Sequence, residues 1–308
     1  MWRGVCAAAL ILGAGTVPAW GASPGSATTV RCEAIPSNIL RRSVDVCVAL
    51  PSSYDSSQKR YPVLYFLHGL FENERSWCER GGQSVLERLR EAGEVGDFIV
   101  VLPDGGKTFY VNAYDGPERY EDFFIEELVP SVDRKYRTIR KAEARGISGT
   151  SMGGYGALHL AMDHPDVFAS TSAHSAALIP KIPDPLPSSG RWGFYAGILR
   201  TSFGSPLNNA YWDKNNPLNL AEHPERFRQL RLYFDCGDRD RYGFDEGARL
   251  LHEKLEARGF PHEFALRPGD HGWTYLNQYL EHSLCFHWRI FARTDHGVAT
   301  TAGAGGTR

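Results

Sequence analysis

Apolar residues along this chain gather into short continuous runs, and between the runs apolar positions recur at the helical period. Tyr61-Pro62-Val63-Leu64-Tyr65-Phe66-Leu67 is almost wholly apolar and stops at His68-Gly69. Asp97-Phe98-Ile99-Val100-Val101-Leu102 stops at Pro103-Asp104-Gly105-Gly106. Runs of this length without alternation predict strands buried on both faces. Further strands are predicted at Ala142 to Ser148, Phe168 to His174, Arg231 to Gly237 and His262 to Leu266. Helices are predicted over Ser84 to Ala92, Tyr120 to Tyr136, Gly149 to Asp163, Asp245 to Arg258 and Trp273 to Phe291. In the second of these, Phe123, Phe124, Leu128 and Val132 mark one face. Strands alternating with helices predict an α/β fold with a mainly parallel sheet covered on both faces. Thr29 to Leu50 holds two more strand-like runs, expected as an antiparallel pair at one edge.

The rhythm breaks over 180–224, which carries several prolines and the aromatics Trp192, Phe194, Tyr195, Phe203, Tyr211 and Trp212. It reads as a partly helical, lid-like insertion within one domain spanning 22–293, with a frayed tail over 294–308. At the other end, Arg3 precedes the apolar run Val5 to Val17, and Ala19-Trp20-Gly21 offers small residues at the −3 and −1 positions. That order predicts a cleaved signal peptide over 1–21 and a secreted or periplasmic protein. The run is short for a bilayer span, and no later stretch is apolar enough to serve as one.

With 34 basic and 36 acidic residues the net charge is −2, so no field of one sign points to nucleic acid or an anionic membrane. Export makes disulfides possible. Cys32 and Cys47 flank a predicted hairpin, so a bridge across it is one expectation. No Cys-x-x-Cys occurs, which removes zinc-ribbon and thioredoxin-type sites.

The chemistry centres on Gly149-Thr150-Ser151-Met152-Gly153. In a Gly-x-Ser-x-Gly turn the serine sits between strand and helix with its hydroxyl lifted clear, and glycine is needed two residues either side because bulk there would collide. Ser148 fails this test, since Thr150 lies two residues after it. A serine nucleophile needs a base, and the base an orienting carboxylate, in the chain order Ser, acid, His. Loops after two later strands supply them: Gly237-Asp238-Arg239-Asp240 and Gly269-Asp270-His271-Gly272-Trp273. His271 is the expected base. Asp240 and Asp238 both remain as the acid on position alone. The turn after Leu67 aims a backbone N–H at the same place, so Leu70 and Met152 are the expected oxyanion donors. His174, at the end of a strand, and Trp192 and Trp273 are the expected substrate-binding side chains. This chemistry requires no metal or organic cofactor. Gly106-Lys107-Thr108 lacks the first glycine of a P-loop, Val101 standing there, and His252-Glu253 lacks the second histidine of a zinc-protease helix.

At these residues the chain resembles the esterase D, feruloyl esterase and mycolyltransferase family of α/β-hydrolases, which includes carbohydrate esterase family 1. The matching pieces are Tyr61 to Gly69, Gly149 to Gly156, Asn216-Pro217-Leu218 to Ala221, Cys236 to Asp240 and Gly269 to Trp273, across most of Thr29 to Ala292. The resemblance implies an α/β-hydrolase fold with Ser151, Asp240 and His271 as triad, and cleavage of an ester or thioester through an acyl-enzyme. It departs from the family at Thr150, where a bulkier apolar residue is common. Mycolyltransferases usually carry glutamate as the acid, unlike Asp240. Export favours a feruloyl, acetyl or similar carbohydrate-linked ester as substrate. The rival readings are an exported acyltransferase, an S-formylglutathione hydrolase-like thioesterase and a non-catalytic binding protein on the same fold.

Overall fold

The computed structural model describes residues 28–295 except 184, 186 and 188. The expected signal peptide lies outside the described residues, as does the expected tail beyond 295. The two strand-like runs near the start form β1 (Thr29–Ser37) and β2 (Arg42–Leu50), paired antiparallel so that Cys32 faces Cys47, and these two form a disulfide. The later runs form β3 (Val63–Leu67), β4 (Ile99–Pro103), β5 (Arg145–Thr150), β6 (Ser170–His174), β7 (Arg231–Gly237) and, only partly buried at the edge, β8 (Glu263–Arg267). Together they make one sheet in the order β1-β2-β4-β3-β5-β6-β7-β8. It is antiparallel only through the pairings of β2 and parallel elsewhere.

Why β3 and β4 are apolar without alternation is plain from what covers them. Val63, Tyr65, Leu67, Ile99 and Val101 join the larger core on one face, with residues of the helix Met152–Asp163. Leu64, Phe66, Val100 and Leu102 join a second core beneath the helices Gly82–Glu91 and Trp273–Asp295. Each strand face therefore needs an apolar residue at every position.

Several elements differ from the expected boundaries. Gly149 and Thr150, expected to open a helix, belong to β5, where they pair with β3 and β6, and the helix begins at Met152. The strand expected from Phe168 begins at Ser170, opposite Gly146. The strand expected from Ala142 opens as a tight turn, Ala142–Ala144, because pairing with β3 begins only at Arg145, opposite Val63. The helix expected over Tyr120 to Tyr136 widens into a π-turn at Phe123–Leu128 before continuing as Val129–Lys135. Pro130 has no amide hydrogen for the usual bond to Glu126, and Val129 N–H reaches back to Phe124 O instead. The last helix continues past Phe291 to Asp295. The insertion folds into the helices Gly190–Phe203, Asn209–Asn215 and Pro217–Leu220.

The chain order places β4 on one side of β3 and β5 on the other. The carboxyl ends of β3 and β5 thus border a topological switch point, where open α/β sheets leave a crevice for ligands.

Candidate active site

Ser151 sits between β5 and the helix Met152–Asp163 at φ 56° and ψ −119°, a left-handed backbone that a non-glycine residue adopts at a cost of about 1–3 kcal/mol. The surrounding backbone holds it there. Its N–H donates to His174 O at 2.9 Å, and its carbonyl accepts from Tyr155 N–H and Ala177 N–H at 3.0 and 2.9 Å. The flanking glycines are sterically required. A Cβ at Gly149 would lie 2.2 Å from Gly153 O, and one at Gly153 would lie 2.1 Å from Leu67 O.

The loops after β7 and β8 meet beside this turn. His271 Nδ1 lies 2.7 Å from Asp240 Oδ2, with the aspartate side chain fully buried and the imidazole 12% exposed. Asp240 Oδ1 accepts from Tyr242 N–H at 2.9 Å, and the Cys236 thiol lies 3.6 Å from Oδ2. Burial, and then the Asp240 carboxylate, push the Cys236 thiol well up, so it stays protonated and donates. Asp270 Oδ1 accepts from His271 N–H and Arg241 N–H at 2.7 and 2.9 Å, which ties the two loops together. Asp238 Oδ1 accepts from Gly269 N–H at 3.0 Å, so of the two aspartates open on position it is Asp240 that meets the imidazole. The rings of Tyr242 and Phe244 stand edge-on to His271 at centroid distances of 4.7 and 5.6 Å and limit its rotation.

Ser151 and His271 share a cavity of about 370 Å³ with Leu70, Met152 and Trp273. Among the described residues the Ser151 hydroxyl makes no hydrogen bond, so serine and imidazole line one space without being joined across it. Aromatic and aliphatic side chains supply its apolar wall, including Phe109, Tyr195, Tyr242 and Phe244.

Of the cavity residues that the sequence reading did not single out, Glu72 makes the most telling contacts. Glu72 Oε2 accepts from Gly69 N–H at 3.0 Å, and Oε1 accepts from the Trp273 indole at 2.5 Å. A single carboxylate thus links the turn after β3 to the His271 loop. Its only sequence signal is an acid three residues past the glycine of the turn, the spacing at which a side chain folds back onto that N–H.

His174 corrects an expectation. It lines no part of the cavity: its side chain is fully buried, with Nδ1 3.0 Å from Asp235 Oδ1 and Nε2 2.8 Å from Ser283 Oγ. Desolvation pushes the Asp235 carboxyl up, but His174 and the hydroxyls of Tyr233 and Tyr275 outweigh it and hold the group below its ordinary value. An imidazole at a strand end this deep takes a buried carboxylate rather than a ligand. What His174 gives the site is its carbonyl, which fixes Ser151 N–H. Trp273 does line the cavity, and the side chain of Trp192 lies outside the described residues.

The chain is similar to known esterases. The Esterase family model ("Putative esterase") matches residues 37–287. Esterase Rv1288 of Mycobacterium tuberculosis is 29% identical over 253 residues, covering 73% of this chain and 52% of the relative. An endo-1,4-beta-xylanase/feruloyl esterase of Xylanibacter ruminicola is 33% identical over 230 residues, covering 72% of this chain and 26% of the relative. The chain therefore spans about half the length of the first relative and a quarter of the second. A solved ferulic acid esterase superposes with a TM-score of 0.73 at 30% identity, covering 86% of this chain and 99% of that one. Among the described residues, no helix is long and apolar enough to cross a membrane. With its eight-stranded α/β-hydrolase sheet and these matches, the chain belongs to the esterase family.

Proposed function

We propose that the protein is an exported serine esterase that works through an acyl-enzyme on Ser151 and cleaves feruloyl or acetyl esters of carbohydrates. The observation that carries the mechanism is the 2.7 Å contact between His271 and the buried Asp240 on the same cavity as the strained Ser151. Asp240 fixes the imidazole with Nδ1 protonated, which leaves Nε2 as the base. Serine and imidazole come into hydrogen-bond reach when substrate binds, as catalytic contacts in ligand-free sites commonly do.

Ser151 Oγ attacks the ester carbonyl and passes its proton to His271. The carbonyl oxygen gains charge and is met by the N–H groups of Leu70 and Met152, the latter at the first turn of a helix whose dipole favours the anion. Collapse expels the alcohol, which takes the proton from His271. Water then attacks the acyl-enzyme by the same steps and releases the acid and free Ser151. Glu72 keeps the turn carrying Leu70 in register with the His271 loop.

The aromatic wall of the cavity favours a planar acyl group, and the feruloyl esterase names among the similar proteins point the same way. Methyl ferulate, acetylated xylan and p-nitrophenyl acetate, compared on purified protein, test the substrate class. The proposal expects kcat/KM for methyl ferulate or acetylated xylan to exceed that for p-nitrophenyl acetate. Turnover of p-nitrophenyl acetate alone would contradict the carbohydrate-ester reading while leaving the serine mechanism standing. Recovery of full-length protein lacking 1–21 from culture medium or periplasm tests export; retention in the cytoplasm with that segment attached would contradict it.

A further inference from the structure

Aromatic side chains line the catalytic cavity at two depths. Phe109, Tyr195 and Phe244 are buried, whereas Phe71 and Tyr242 are 60% and 36% exposed. Buried rings enclose the part of a substrate that leaves water. Exposed rings border the opening, where the rest of the substrate emerges. Among the described residues, Phe71 is the most exposed of the large apolar side chains.

An exposed phenylalanine needs no explanation by itself, but the backbone of this one does. Glu72 N–H donates to Gly69 O at 3.2 Å, closing a turn with Leu70 and Phe71 at its centre. Phe71 has φ 65°, and Leu70 is not among the residues of positive φ, which is the type II pattern. The third position of such a turn favours glycine or asparagine, because a left-handed backbone crowds a Cβ against the carbonyl. A bulky aromatic there is a strained choice, and a ring this exposed recovers little of that cost by burial. On the proposed mechanism the same turn aims Leu70 N–H at the reacting carbonyl, so the ring stands one residue from the oxyanion donor. Lys107 Nζ lies 5.1 Å from the ring centroid, a cation–π contact that steadies the ring where it meets solvent.

On the carbohydrate-ester reading above, on which this rests, we propose that Phe71 determines specificity: its exposed ring stacks against the sugar carrying the ester. The buried aromatic wall takes the acyl group. The C–H face of a sugar ring is apolar while its rim carries hydroxyls. It therefore covers an exposed aromatic ring and keeps its hydroxyls in water. A small alcohol such as methanol presents no such face. The strain at Phe71 is thus retained for binding and not for the fold.

The test compares esters that share an acyl group and differ in the alcohol. Feruloylated arabinoxylan oligosaccharide is set against methyl ferulate, and acetylated xylo-oligosaccharide against ethyl acetate followed by pH-stat. Phe71→Asn removes the ring and keeps a residue suited to the turn. In that variant the ratio of kcat/KM, sugar ester over simple ester, is expected to fall about 10-fold, through KM. Phe71→Tyr should restore most of the ratio. The melting temperature of Phe71→Gly is expected to hold or rise, because the turn loses its strain. An equal loss on both members of a pair, or melting lowered by several degrees, would overturn the stacking role. Wild type that cleaves sugar esters, with the ratio unchanged in Phe71→Asn, would defeat the role of Phe71 alone. Wild type that turns over only the simple esters would defeat the carbohydrate-ester reading and the role of Phe71 with it.

Discussion

Asp238 and Asp240 are two positions apart and meet different fates. Asp238 turns outward, with a side chain 43% exposed, and holds Gly269 N–H; Asp240 has no exposed side-chain surface and holds the imidazole. Position in the chain does not separate them, because both follow the same strand; only the meeting with a loop about 30 residues later does. On the proposed mechanism, Asp240→Asn leaves the fold intact but lets the wrong nitrogen of His271 carry the proton. Its kcat is expected to fall by about 10³–10⁴, with Asp238→Asn near wild type. The reverse ranking in steady-state kinetics would remove Asp240 from the role. Glu72 and His174 mark where residue-level reading stops. An acid near a turn and a histidine at a strand end are common, and what they touch depends on Trp273 and Asp235, each far off in sequence.

Elements were more legible than residues because burial on both faces leaves a mark that does not depend on long-range partners. β3 and β4 read as unbroken apolar runs since alternate side chains enter separate cores. The antiparallel β1–β2 edge and its disulfide follow from two strand-like runs joined by a short turn. The π-turn at Phe123–Leu128 was not legible, since the apolar face of that helix has the ordinary period and only Pro130 hints at a change. The elbow between β5 and its helix was legible through its glycines, and these carry an element-scale prediction. A methyl at Gly153 would meet the backbone atom Leu67 O at 2.1 Å, so the strand and helix must separate. Gly153→Ala is expected to lower the melting temperature by several degrees, an overpacking cost of about 1–3 kcal/mol or more, and to cut activity more than stability. Unchanged melting and hydrolysis would show that the elbow tolerates bulk.

At the scale of the molecule, the last helix is fastened to the sheet by buried polar contacts as well as by its apolar face. His287 Nδ1 and Nε2 lie 2.8 and 2.9 Å from the hydroxyls of Ser170 and Ser172 on β6. Burial, with a smaller push from His174, lowers the His287 imidazole from 6.5 to about 3. The unfolded chain takes up a proton below pH 6.5, which the folded chain refuses until about pH 3. Stability is therefore full above the upper value and falls as pH drops through that window. Melting temperature is expected to decline from pH 7 to pH 4, and His287→Asn should flatten that decline while lowering stability at pH 7. An unchanged slope would assign the acid sensitivity to other groups. The same wholeness governs the site: Ser151, Asp240 and His271 come from the ends of β5, β7 and β8 and have no relation except through the sheet.

The most direct measurement of that convergence is intact and peptide mass spectrometry after exposure to a fluorophosphonate, alongside p-nitrophenyl acetate hydrolysis. One adduct per chain is expected on Ser151, with adduct and hydrolysis both lost in a folded Ser151→Ala variant and labelling slowed sharply in His271→Ala. An adduct on another residue, or hydrolysis surviving in Ser151→Ala, would contradict the assignment.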